Sequence, residues 1–125
     1  MSKNYWVAGS MFSGTEDQFK NFIERGYWYC RDPNVNATIP DNVLSTFPKI
    51  AKGDRIALKR MPGRGSPEIE IRALGIVKAV DLDEWRVYVD WAITDLERRV
   101  PCKNYLGSLH GPVPASERRA SAFEF

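Results

Sequence analysis

Cysteine and histidine are scarce in this 125-residue chain, with two cysteines, Cys30 and Cys102, and one histidine, His110. No CxxC pair exists, and the usual zinc ligand counts cannot be filled from that inventory. A Cys/His nucleophilic pair is arithmetically available, but no local motif supports it, and buried free thiols are the plainer account. Long hydrophobic runs are lacking too. No stretch approaches the roughly 18 apolar residues of a membrane span. The opening "MSKNYWVAGS" has too short an apolar run for a signal peptide. The expectation is a cytoplasmic protein with no membrane contact. Nucleotide and hydrolase signatures are missing as well: no GxGxxG after a strand, no GxxxxGK[ST], no HExxH, no GxSxG. The carboxylates of "DLDE" (81–84) read as a solvated turn. The chain is therefore expected to be no enzyme, with no cofactor, metal or catalytic residue.

Charge of one sign is also in short supply. Eighteen Lys and Arg against 16 Asp and Glu leave a net +2. That permits nucleic-acid contact without demanding it, so clustering decides. Lys59, Arg60 and Arg64 surround the Gly/Pro-rich loop "KRMPGRG", and Arg31 follows the aromatic run. A loop of that kind between two strands either is a solvated face or touches a phosphate backbone. Arg98, Arg99 and Lys103 form a second group, and Arg118 and Arg119 a third.

Aromatics are plentiful, at 12% with four Trp. "NYWVAG" (4–9) reads as a buried strand. Thr15 and Gln18 have capping-box spacing, with Glu16 and Asp17 in the first turn, so a helix is expected to open at Thr15. Phe19, Phe22 and Ile23 form its apolar face, and Gly26 ends it. "YWYCRDPNVNATIP" is extended or irregular. "DNVLSTFPKI" is a short helix led by Asp41 and limited by Pro48, with Val43, Leu44 and Phe47 apolar. Strands follow over 52–60, 68–80 and 85–93, with Gly75 marking a bulge or bend. In the last, Trp85, Val87, Val89, Trp91 and Ile93 alternate with Arg86, Tyr88 and Asp90. One further strand is expected beyond residue 94, and residues 115–125 read as a tail or linker after a domain over 1–114. The expected fold is α+β, a small twisted antiparallel or mixed β-barrel with flanking helices.

Trp6 and Trp91 lie inside apolar strands and read as core. For Trp28, after a helix end, and Trp85, at the start of a strand, two readings stay open: packing, or the wall of a site that stacks a flat ligand. The order of elements resembles the PUA-like superfamily, in particular its EVE and YTH branches. The resemblance is carried by "YWVAGS", "DQFKNFIERGYW", "IAKGDRIALKR", "ALGIVKAV" and "WRVYVDWAITDL". It covers roughly residues 4 to 105, and no single motif in it is diagnostic. Those families read modified bases in nucleic acid, and EVE-like domains often precede McrB-type ATPases or nucleases in restriction proteins. The resemblance implies that Trp28 and Trp85 wall a base pocket, with Ser10 at its floor between Gly9 and Met11. Tyr29 would offer its backbone carbonyl to the base edge. Lys59, Arg60, Arg64 and Arg31 would hold the backbone. Modified DNA is favoured over RNA as partner. The sequence departs from the YTH pattern at Gly9, where a Lys precedes the Ser, and it has no counterpart to the middle cage Trp.

Overall fold

The computed structural model describes residues 4–9, 11, 12, 16–29, 41–60, 68–101, 109–111 and 113. The tail read over 115–125 lies outside them. Nine strands and three short helical elements are described. In chain order these are β1 (Tyr5–Gly9), β2 (Met11–Phe12), β3 (Glu16–Asp17), α1 (Phe19–Arg25), β4 (Tyr27–Tyr29), α2 (Asp41–Thr46), a 3-10 turn (Phe47–Lys49), β5 (Arg55–Arg60), β6 (Glu68–Asp81), β7 (Arg86–Ile93), β8 (Arg98–Pro101) and β9 (Leu109–His110). The protein is α+β and strand-dominated. Its main sheet runs β4-β7-β6-β5-β1-β9, with β8 paired to β6. The part from β4 to β1 curls into a five-strand half-barrel, compatible with the small barrel expected. β1 and β5 pair in parallel, and the other pairs are antiparallel.

Alternation sorts the side chains onto two faces. Trp6 and Ala8 of β1 and Ile56 and Leu58 of β5 point into the larger core with Phe22, Trp28, Val43, Phe47, Val87 and Val89. Val7 and Ala57 point the other way, to a smaller cluster with Ile69, Ile71, Leu74 and Val113. Asp54 ties the strands together at one end. Its buried carboxylate accepts the Trp6 indole N–H at 2.9 Å and the backbone N–H groups of Ala51 at 2.9 Å and Asn4 at 3.2 Å. The carbonyl of Asp54 accepts from Val77 N at 2.8 Å. Three donors on one buried carboxylate explain the "GD" ahead of β5 without any ligand.

Two expectations are corrected. The helix opens at Phe19, with Gln18 as its N-cap and no acidic residue in the first turn. Glu16 and Asp17 instead pair with Phe12 and Met11 as a two-residue ladder, so hairpin pairing outweighs the capping-box pattern. Ile93 does not share a face with Val87, Val89 and Trp91. The β6–β7 register shifts between Leu74 and Gly75, leaving Ala92 as the extra residue, so Ile93 joins the smaller cluster. The bulge expected at Gly75 is real. A Cβ there would meet the Asp90 carbonyl oxygen at 2.8 Å and Trp91 Cε3 at 2.9 Å, so glycine is what lets β7 approach. Gly26 caps α1 at φ +70°, its N–H donating to the Phe22 carbonyl at 2.9 Å.

Candidate nucleic-acid interface

Gly26 stops α1 and turns the chain onto the edge of β7, where Tyr27, Trp28 and Tyr29 pair with Tyr88, Val87 and Arg86. The strand therefore deals its rings to alternate sides. All three pack in the larger core, where Trp28 is fully buried. Its indole N–H donates to the Gly9 carbonyl at 2.9 Å, joining the end of β1 to the far edge strand. Its ring stacks on Phe47, with centroids 6.4 Å apart and planes 27° apart. Tyr27 and Tyr29 lie edge-on to each other at 5.4 Å, and Phe22 meets both edge-on, at 6.1 and 5.1 Å.

Trp85 closes the β6–β7 hairpin. Asp81 Oδ1 accepts the backbone N–H groups of Asp83 at 3.0 Å and Glu84 at 3.1 Å, which nucleates the turn over 82–85. The chain then re-enters β7 through Trp85 at φ +54°. That is a left-handed conformation, rare for a bulky side chain. The half-buried ring rests on Phe47, at 5.1 Å and 50°. Phe47 thus bridges the two predicted walls, Trp28 and Trp85. A shallow concavity on the same hairpin is lined by Ala79, Val80, Asp81, Leu82, Asp83 and Tyr88, and Leu82 is 53% exposed. Trp28 does not line it.

Trp28 and Trp85 both meet Phe47, and Gly9 accepts the Trp28 indole N–H. Tyr29 is buried, and Met11 is described only as a member of β2. Ser10, Arg31 and Arg64 lie outside the described residues, as do both cysteines. Lys59 pairs with Gly9 and Ile71 and is 4% exposed, which leaves its ammonium little room for a backbone phosphate. Arg60 is more open, with its Nε 4.0 Å from Glu70 Oε1. Glu70 also faces Arg72 at 3.9 Å, and the Arg72 guanidinium lies 3.9 Å from the Phe19 ring centroid.

No family model and no curated protein matches this chain. Among the described residues, no group of three His, Cys, Asp or Glu side chains could hold a metal ion, and no helix is long and apolar enough to cross a membrane.

Sequence reasoning missed two residues of this region. Phe47 read as core at helical spacing from Val43, and nothing local tells that its ring meets two indoles. Arg86 read as the polar side of a strand, yet its guanidinium carbon lies 4.7 Å from the Tyr27 ring centroid and 5.7 Å from that of Tyr29. The alternation of Arg86 and Tyr88 opposite "YWY" was the available signal.

Proposed function

We propose that the chain is a nucleic-acid-binding module of the PUA-like, EVE/YTH kind, which captures one modified base and serves as the specificity module of a restriction or defence protein. The observation that carries the reading is Trp85, a half-buried indole held at φ +54° on Phe47. Glycine or asparagine would close the hairpin at less strain, so a bulky indole held there points to a role for the ring itself. In this reading the base stacks on Trp85, and Phe47 and Trp28 back it as a continuous aromatic series. Stacking supplies about 1–3 kcal/mol per base, against a flipping cost of a few kcal/mol. Methylated DNA is the favoured ligand, and Arg60 one of its backbone contacts. Affinity for methylated and unmodified duplexes at one fixed salt concentration tests this. The modified duplex binds more tightly, and Trp85→Ala removes about tenfold of that preference, as the loss of one stacked base would. Equal affinity for all duplexes sinks the modified-base reading.

The full burial of Trp28 and its bond to Gly9 favour a second reading, a barrel that binds another protein and uses its indoles only as core. Acrylamide quenching separates the two. A site indole at Trp85 is quenched in the free protein and protected by modified oligonucleotide, whereas quenching that oligonucleotide leaves unchanged favours the protein-binding barrel.

A further inference from the structure

The Arg86 side chain is a pinned cation with no anion beside it among the described residues. Its guanidinium lies over Tyr27 and Tyr29, and its Nε is buried with no hydrogen-bond partner. The other half-buried arginines have an oxygen nearby: Arg55 donates to the Gly53 carbonyl at 2.8 Å, and Arg60 and Arg72 lie 4.0 and 3.9 Å from Glu70 Oε1, although the Arg60 Nε, like that of Arg86, is buried without a hydrogen-bond partner. Asp81, the cross-strand neighbour of Arg86, is the obvious acceptor. Its Oδ1 instead accepts the turn N–H groups of Asp83 and Glu84. The Arg86 side chain makes no ion pair or hydrogen bond among the described residues, although it is only half-buried. A guanidinium fixed by ring stacking, with its fork open, suits bidentate contact with an oxyanion.

We infer that Arg86 is a phosphate-binding group, and that the phosphate it takes in function belongs to the nucleotide strand whose base meets Trp85. The inference rests on the nucleic-acid reading above. Adjacent residues divide the work: Trp85 turns its ring towards Phe47, and Arg86 lies on the opposite side of the strand over the two tyrosines. The acidic turn residues Asp83 and Glu84 are exposed beside it. They weaken capture of a free ion, so stacking of the base must hold the phosphate in place.

Two measurements test this on the whole chain, with Arg86→Gln and Arg86→Lys each first checked for a native melting transition. The first is a salt titration of binding to a short methylated oligonucleotide. Arg86→Gln weakens binding several-fold at low salt and lowers the slope of log K against log salt by about 0.7–0.9, the loss of one phosphate contact. Arg86→Lys keeps the slope but binds more weakly than the native protein, since a point charge replaces a fork. An unchanged slope in Arg86→Gln overturns the inference. The second follows the arginine Nε–Hε NMR signals of the native protein, with the Arg86 signal assigned by its loss in Arg86→Lys, as inorganic phosphate or the oligonucleotide is added. A shift of the Arg86 signal by either supports a phosphate site, and no shift by either overturns it. If inorganic phosphate moves the signal while no oligonucleotide binds the native protein, the oxyanion site stands and the nucleic-acid reading fails.

Discussion

Trp85 combines a backbone that favours glycine with a bulky side chain rarely found on it. A left-handed conformation costs an L-residue about 1–2 kcal/mol, and glycine pays little of that. The ring recovers part of the cost through its contact with Phe47, a ring pair of the kind worth about 0.5–1.5 kcal/mol beyond area. Backbone and ring are separable by two substitutions. Trp85→Ala and Trp85→Gly both lose the ring, but only glycine relaxes at φ +54°. Urea denaturation is expected to place Trp85→Gly about 1 kcal/mol above Trp85→Ala in stability. Both variants should lose base discrimination equally. Equal stabilities would mean that the hairpin readjusts its backbone once the indole is gone. Trp28 is the opposite case. Its burial, its bond to Gly9 and its stacking on Phe47 make it part of the frame that backs Trp85, so the two tryptophans raised together by sequence carry different duties.

Among the elements, β6 and β7 set the geometry of the hairpin through their bulges. Register slips at Leu74/Gly75 and again between Val77 and Ala79, each bending the pair and strengthening its twist. Gly75 is the pivot, because its missing Cβ admits the Asp90 carbonyl and the Trp91 ring. Gly75→Ala is expected to destabilise by about 1–3 kcal/mol through overpacking. It should also alter the near-UV circular dichroism of Trp91, whose indole N–H donates to the Phe22 carbonyl at 3.0 Å. A native spectrum with unchanged stability would show that β7 can retreat at no cost. Strong alternation made β1, β5, β6 and β7 legible in the sequence, and Gly75 announced its bulge. The start of α1 was not legible, because the choice between a capping turn and a short ladder is made by Met11 and Phe12, outside the helix itself. Nor was the side taken by Ile93, since a bulge reverses alternation without marking its own position. The aromatic site was half legible. Trp28 and Trp85 share a neighbour, Phe47, contributed by a 3-10 turn remote from both in sequence, and Gly9 is tied only to the Trp28 indole N–H.

Over the whole molecule the charge is nearly balanced, so electrostatics must act locally if the chain binds nucleic acid. The hairpin that presents Trp85 is acidic: Asp83 and Glu84 are exposed, and Asp81 is half-buried behind them. A phosphate strand brought to Trp85 would meet the field of these exposed carboxylates, which are adjacent in sequence to Trp85 and Arg86. Each exposed carboxylate about 8 Å from a phosphate opposes it by about 0.5 kcal/mol in bulk water, and by less at 0.15 M salt, where the Debye length is about 8 Å. Removing both charges in Asp83→Asn/Glu84→Gln should therefore tighten oligonucleotide binding about twofold to threefold at low salt, with the gain shrinking as salt rises. Both side chains are solvent-exposed, and the turn bonds use their backbone N–H groups and the Asp81 carboxylate, so stability should stay within about 0.5 kcal/mol. Binding isotherms at two salt concentrations, with a urea midpoint as control, make the comparison. Unchanged affinity at low salt in a natively stable double variant would move the interface away from the hairpin. Tighter binding that fades with salt would place the acidic turn beside the bound strand, where its charge opposes strands whose base does not reach the indole.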